Sequence, residues 1–533
     1  MNHKSILRKL TAALLSCTLC CTGMTVPAFA ADDADELPAH FDWREEAPEI
    51  LTPVKSQIGG TCWAYSTLSC IESNMIRKGM ADSSIDLSET HLVWFTDGQG
   101  SPTDPADTRY GGGLEYGVKG YNAGAYVTVI LASLGAWQGV AYESDFPSLT
   151  EKSVLDESLR YQSAAHLQNA QYYAYTVKQI PFTKQRLTER GPIKLDYCHD
   201  YDHPLSEKSG YYNPDYVSVT KANGGTHGVV LVGWDDRYAK ENFTKEPPGD
   251  GAWIIRNSWG NYENSEDGYF YMSYYEPSIS TLTSYDCEPA TNYGSIHSYN
   301  CTYIKAKPLP SSQHGYYTAN VFEAQMAERI AAVGFLLNMP RSVQTQYELS
   351  VYLLNPAPAG PQDGTLVCQT EGTADLSGLY TVKLPECIAV EKGQKYSVVM
   401  KTSAGTMCFF DDASYKEGVS YYAYHTAGQT EPIAWTDCFG TDFGDACIQV
   451  YTEYEGETAQ ILPGDMDRDG SLTAADLSLM KQAICTPERS DLYQPAADWN
   501  GDSVINAEDA HGLLRFLLQV PEQEGLPIRL PIR

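Results

Sequence analysis

The chain has 533 residues, 43% of them hydrophobic and 20% charged, and 37 Lys plus Arg against 68 Asp plus Glu give it a formal charge of −31. That length requires more than one core, and the composition is that of a globular rather than a disordered protein. The negative charge repels phosphate backbones and anionic lipid surfaces, which excludes nucleic acid and membrane headgroups as partners.

Lys4, Arg8 and Lys9 precede an apolar stretch over 10–19, and Ala28-Phe29-Ala30 supplies the small residues of a cleavage site. Residues 1–30 therefore read as a signal peptide, and a secreted, extracellular protein is expected. No later run reaches the roughly 18 apolar residues of a membrane span. Three of the fourteen cysteines (Cys17, Cys20, Cys21) fall in this leader and eleven remain. They show no CxxC pair or zinc-ligand spacing, so buried free thiols are expected rather than a disulfide framework.

Residues 37–284 mix helical and strand patterns. Leu68, Ile71, Met75 and Ile76 fall near one face of a helix that opens at Cys62 and ends at Gly79. A second helix is predicted over 125–134, and strands over 229–232, 252–255 and 268–274. A thiol is a nucleophile as thiolate, and the positive end of a helix lowers its pKa, so Cys62 stands where such chemistry would put it. It needs a base, and His227, heading the strand over 229–232, is the best of eleven histidines. A third group must hold the imidazole in its working tautomer; Asn257 is placed to do so, with Trp259 to cover the bond from water. Each residue alone reads more simply as a buried thiol or a loop histidine.

The local sequences are more specific. Gln57, Gly60-Thr61-Cys62-Trp63-Ala64-Tyr65, Asp86-Leu87-Ser88-Glu89, Thr226-His227-Gly228, Asn257-Ser258-Trp259-Gly260 and Asp267-Gly268-Tyr269-Phe270 follow one another in an order that resembles the papain family of cysteine peptidases. The resemblance runs from about Leu37 to Tyr275. It implies a two-lobed α+β fold with Cys62, His227 and Asn257 catalytic across a cleft, and no cofactor for catalysis. Gln57 would bind the oxyanion with the Cys62 backbone N–H, and Gly60, Thr61, Trp63, Thr226 and Trp259 would line the cleft. Gly111–Gly113 or 122–124 would line its non-primed side. Three features depart from the family. Gln57 precedes Cys62 by five residues, one fewer than usual; Gly59 replaces a frequent cysteine; and few residues separate the leader from Leu37, which leaves no long inhibitory pro-segment. An insertion over 197–219, containing His199 and His203, is either a cover for the cleft or a plain surface loop.

Residues 285–454 carry short alternating strands such as Leu349, Val351 and Leu353, as in a β-sandwich. The arrangement is similar to the lectin-like module behind some bacterial members of the family. Tyr316, Tyr317, Tyr421, Tyr422, Tyr424 and Trp435 would bind carbohydrate if exposed, or else fill the core. A linker (455–463) leads to a repeat over 464–520, and residues 521–533 read as a disordered tail. Asp465, Asp467, Asp469, Ser471 and Asp476, then Asp498, Asn500, Asp502, Val504 and Asp509, occupy positions 1, 3, 5, 7 and 12 of two loops, the oxygen pattern of calcium sites. Each loop runs into an apolar helix. The pair resembles a dockerin, a small all-α calcium-binding module, which implies two structural Ca2+ ions and a cohesin domain on a scaffolding protein as partner. In dockerins, loop positions 10 and 11 (here Ala474, Ala475, Ala507 and Glu508) help set cohesin choice.

The expectation is a multidomain, secreted cysteine endopeptidase acting on protein or peptide substrates as a cellulosome component. The alternative is a catalytically silent papain-fold binding component of the same complex.

Overall fold

The structure is a computed structural model that describes residues 37–96, 124–146, 160–299, most of 304–454, and beyond these 464, 466, 472, 474–485, 494–497, 499 and 505–517. The leader, linker and tail named above lie outside the described residues, as do Gly111–Gly113, Asn122, Asp465, Asp467, Asp469, Ser471, Asp498, Asn500, Asp502 and Val504.

Strand β1 (His40–Asp42) and the one-turn helix α1 (Trp43–Glu46) lead to helix α2 (Cys62–Arg77). Thirteen of the sixteen α2 residues are buried, so its polar side chains must find partners inside. Ser66 Oγ donates to Cys62 O at 2.7 Å and Ser73 Oγ to Ser69 O at 3.0 Å. The helix stops where Gly79 takes φ +70, a left-handed turn glycine adopts without strain. Among the described residues, helices α3 (Glu89–Thr96) and α4 (Val127–Gly135) join it in the first lobe, whose core includes Leu68, Ile71, Leu92, Phe95 and Ile130.

The second lobe is a sheet of β2 (Ala165–Ala174), β3 (Ile193–Asp200), β4 (Gly210–Tyr211), β5 (Gly224–Asp235), β6 (Ala252–Arg256), β7 (Tyr269–Ser273) and β8 (Thr281–Pro289), with helix α5 (Ile180–Arg190) against it. β3 alternates as a strand between two layers must: Ile193, Leu195 and Tyr197 enter a core with Leu231, Trp253 and Leu282, which leaves Lys194, Asp196 and Cys198 on the opposite face. β8 passes the expected boundary at Ser284 and pairs with β2 as far as Pro289.

The middle region continues with β9 (Ser295–Ser298), β10 (Ile304–Lys305), β11 (Tyr316–Glu323), β12 (Glu328–Asn338), β13 (Thr345–Leu354), β14 (Gly364–Ala374), β15 (Ser377–Val390) and β16 (Lys395–Thr402). It closes with β17 (Thr406–Met407), β18 (Phe409–Phe410), β19 (Ser420–Tyr424), β20 (Thr436–Asp437) and β21 (Ile448–Tyr454). One sheet has the order β14-β13-β16-β11-β19-β20 and packs on β15-β12-β21-β9 over a core containing Leu349, Val351, Tyr396, Val398 and Val450. This second sheet does not end there. β15 pairs with β2 through Ser377↔Tyr172, Gly378↔Gln171 and Leu379↔Ala170, so a single 13-stranded sheet runs from the peptidase-like lobe into the sandwich. A Cβ on Gly378 would stand 2.0 Å from Ala170 O, so the joint requires glycine. Trp137 stacked on His166 at 3.8 Å, with the Tyr451 hydroxyl donating to Gly135 O at 3.1 Å, braces the same joint.

Helices α6 (Ala474–Cys485), α7 (Gln494–Ala497) and α8 (Ala507–Leu517) share a small core of Met466, Leu477, Met480, Ala497 and Leu513. The nine cysteines among the described residues are free thiols. Among the described residues no helix is long and apolar enough to cross a membrane.

Candidate active site

Helix α2 delivers Cys62 as its first residue, 8% exposed, and β5 delivers His227, 5% exposed. In the pairing of β3 with β5, His227 lies opposite Tyr197 and Gly228 opposite Asp196. The Gly228 N–H donates to the Cys62 sulfur, as does that of Trp63. A Cβ on Gly228 would meet Ser66 Oγ at 2.8 Å and Cys62 O at 3.4 Å. Glycine therefore lets the strand with the imidazole lie directly on the helix with the thiol.

The His227 ring is fixed from its far end. Asn257 Oδ1 lies 2.8 Å from His227 Nε2 and also accepts the Ser258 N–H at 2.8 Å. An amide oxygen only accepts, so Nε2 carries the hydrogen and Nδ1 is left as the base. Trp259 stacks on the imidazole with centroids 4.5 Å apart and planes 20° from parallel, and Tyr262 meets Trp259 edge-on at 5.4 Å. The bond is thereby shielded from water.

Burial lowers His227 to about 4, against the Asn257 bond and Asp196, which raise it. Burial raises the Cys62 thiol, against the Gly228 N–H and the Lys194 ammonium, which lower it. Desolvation thus opposes the lowering expected from the helix N-terminus. Lys194, 2% exposed, pairs with Asp196 beneath the site; neither was singled out in the sequence, where a lone Lys and Asp in a strand give no signal.

Gln57 is clamped beside Asn257. Its N–H donates to Ser258 O at 2.7 Å, its Oε1 accepts from Ser258 Oγ at 2.7 Å, and its Nε2 donates to Gly59 O at 2.7 Å. The amide has a second N–H beyond that bond. Of the expected cleft residues, Gly60 and Trp259 are half-buried and Thr226 is exposed beside His227. Two differ from expectation: Trp63 is 3% exposed within the core of the first lobe, and Thr61, 2% exposed, spends its hydroxyl on Ile58 O at 2.6 Å. A helix buried on nearly all sides turns the residue after Cys62 inward.

The Asp86-Leu87-Ser88-Glu89 motif also finds its place. Lys55 Nζ lies 2.8 Å from Glu89 Oε1, 2.6 Å from Asp86 Oδ1 and 3.6 Å from Glu72 Oε1. Glu72, 1% exposed, accepts from Thr52 Oγ1 at 2.5 Å and the Leu87 N–H at 2.9 Å. Burial alone would lower the Lys55 ammonium, but Glu72 and Glu89 hold it above its usual range. Arg256 donates to Ser69 Oγ at 2.7 Å, and a cavity of about 20 Å³, room for one water, lies among Lys55, Ser69, Glu72, Glu89, Arg256 and Asn257. The network bolts α2 to the segment after β6 that carries Asn257.

Further along, Tyr316 and Tyr422 pack against the sandwich core and Tyr424 stacks parallel to Tyr422. Tyr317, Tyr421 and Trp435 gather separately: Trp435 lies 6.3 Å from Tyr317 and 6.5 Å from Tyr421, its Nε1 donating to Gln362 Oε1 at 3.1 Å. In the C-terminal helices Asp476 and Asp509 are both fully buried. Each holds the N–H of loop position 2, Met466 at 2.8 Å and Trp499 at 2.9 Å, so the two copies share one closure. A further group, His40, Asp42 and Glu45, brings ligand atoms within 4.8 Å, but both Asp42 oxygens accept from Arg44.

Comparison with known proteins agrees with this architecture. The model of the family described as papain family cysteine protease matches residues 37–290, that of the lectin like domain 300–452, and that of the dockerin type I domain 463–518. The viral cathepsin of Lymantria dispar multicapsid nuclear polyhedrosis virus is 28% identical over 239 residues, 44% of this chain and 54% of that protein. Procathepsin L of Mus musculus is 28% identical over 238 residues, 44% of this chain and 60% of that one. The match thus spans little more than half of these relatives. Among solved structures, the cysteine protease and lectin-like domains of Cwp84, a surface layer associated protein of Clostridium difficile, align with a TM-score of 0.59 at 19% identity, covering 79% of this chain and 89% of that one. Cwp84 after propeptide cleavage aligns with the same TM-score at 21% identity, covering 78% of this chain and 99% of that one. At such identity the likeness is one of fold. Residues 37–290 thus form a region similar to the papain family of cysteine proteases, followed by regions similar to a lectin-like domain and a type I dockerin.

Proposed function

We propose that this chain is a secreted cysteine endopeptidase that hydrolyses peptide bonds through Cys62, His227 and Asn257, with its dockerin tying it to a cohesin-bearing scaffold of a cellulosome. The observation that carries the reading is the α2–β5 junction, where Gly228 binds the thiol sulfur while the adjacent His227 is held by Asn257 at 2.8 Å. That intact, shielded bond speaks against the silent alternative.

Cys62 gives its proton to His227 Nδ1 as the sulfur attacks the peptide carbonyl carbon. The tetrahedral oxyanion takes hydrogen bonds from the Cys62 N–H and the second Nε2–H of Gln57, each worth about 3 kcal/mol of barrier. The imidazolium, steadied through Nε2 by Asn257, then protonates the leaving amine, and the C–N bond breaks to leave a thioester. Water attacks that thioester with His227 as base, and the thiol is restored. Because the base form of His227 is lost only below about 4, kcat/KM on a quenched peptide should hold down to that pH and fall beneath it, with the alkaline limb above the usual thiol range. Asn257→Ala removes a bond that raises His227, so it should move the acid limb lower as well as slow the reaction. An acid limb near 6.5 in the wild type would show His227 solvated, contrary to this site.

The chemistry of the donor set in the two C-terminal loops fits calcium: Asp465, Asp467, Asp469, Ser471 and Asp476 would hold one ion and Asp498, Asn500, Asp502, Val504 and Asp509 the other. Bound calcium would supply structural charge neutralisation and take no part in hydrolysis. A chelator should therefore abolish cohesin binding while peptide hydrolysis persists; cohesin binding that survives calcium removal would contradict the assignment. The grouping of Tyr317, Tyr421 and Trp435 beside Gln362 supports sugar stacking as the role of the lectin-like domain.

A further inference from the structure

His199 was expected in a loop beginning at Tyr197, but β3 runs to Asp200 and puts His199 opposite Gly225, two residues before His227 in the neighbouring strand. Its ring meets Trp259 edge-on at 4.9 Å and His227 at 6.1 Å. Tyr201, 64% exposed, meets it edge-on at 4.8 Å. The ring is half-buried, and a Cβ on the facing Gly225 would have nothing within 4 Å, so open space adjoins it.

One nitrogen is committed. The buried Tyr197 hydroxyl lies 3.1 Å from His199 Nδ1, its one hydrogen-bond partner among the described residues, so its proton is satisfied when it donates and Nδ1 accepts. Nε2 therefore carries a hydrogen. Burial and the neighbouring His227 lower His199 to about 4 against Asp200, which raises it, so it presents a neutral N–H and adds no charge beside a base that must become cationic.

The side it serves follows from the chemistry. His227 protonates the leaving amine, so the departing segment lies on the imidazole side of Cys62, where Trp259 stacks on His227, His199 adjoins Trp259 and Tyr201 adjoins His199 in turn. Resting on the peptidase reading above, we propose that His199 is a specificity-determining residue for the leaving-group side, donating its Nε2–H to a main-chain carbonyl of the departing peptide.

The test compares kcat/KM for an amidated peptide with two residues after the scissile bond and for the same acyl portion on an aminocoumarin, which has no such carbonyl. For His199→Phe, which keeps an aromatic ring against Trp259 and Tyr201, the ratio of the two constants should fall about tenfold, the scale of one neutral hydrogen bond. His199→Gln, whose amide both accepts from Tyr197 and donates, should recover much of the ratio and serves where the Phe variant folds poorly. A ratio unchanged in both variants, or an equal loss on both substrates, would overturn the proposal. A wild type that turned over neither substrate would remove the peptidase reading and this proposal with it.

Discussion

Replacing Cys62 by alanine should lower kcat/KM for peptide hydrolysis by a factor on the order of 10⁵ or more, because without the sulfur no thioester forms and only binding and oxyanion contacts remain. His227→Ala should lose almost as much. The thiol is raised by burial, so its attack needs an imidazole to take the proton. The double variant should be little worse than either single one, since the two groups act as a unit. A quenched-peptide assay on the three variants checks this; losses that multiplied would mean that the groups work independently.

The second large effect lies below the site. Glu72→Leu should destabilise the peptidase domain by about 3–5 kcal/mol, the scale for removing one partner of a buried ion pair. Glu72 is 1% exposed, and its loss leaves the Thr52 hydroxyl and the Leu87 N–H without their acceptor and strips Lys55 of one of its carboxylates. Asp86→Asn is the contrast. Asp86 touches the same ammonium at 2.6 Å, but its side chain is 53% exposed, so solvent screens the pair and the change should stay below about 1 kcal/mol. Thermal unfolding of the two variants separates the buried from the screened partner. Equal shifts would mean that the network is wet throughout.

What could be read from the residues is what local chemistry fixes. Cys62, His227 and Asn257 stand out because nucleophile, base and orienting amide each need a particular residue type in a particular setting, and those settings are short sequence strings. The alternation of Leu349, Val351 and Leu353 likewise marks a strand without reference to anything distant. The joint between lobe and sandwich could not be read this way, because β2 and β15 meet by a register that no local pattern encodes. The same holds for His199, which reaches the site only through its pairing with Gly225. Trp63 follows the nucleophile in sequence, but its place in the core depends on how the whole helix is buried. The thiol was expected to be acidified by its helix, but a dipole effect of about 1 kcal/mol is opposed by the desolvation of a site this deeply buried.

The most direct measurement is intact-mass analysis after treatment with a peptide bearing a thiol-directed epoxide. The wild type should gain one adduct, mapped to Cys62, and Cys62→Ala none. Equal labelling of the two proteins, or an adduct on any other cysteine, would contradict the assignment of Cys62 as the nucleophile.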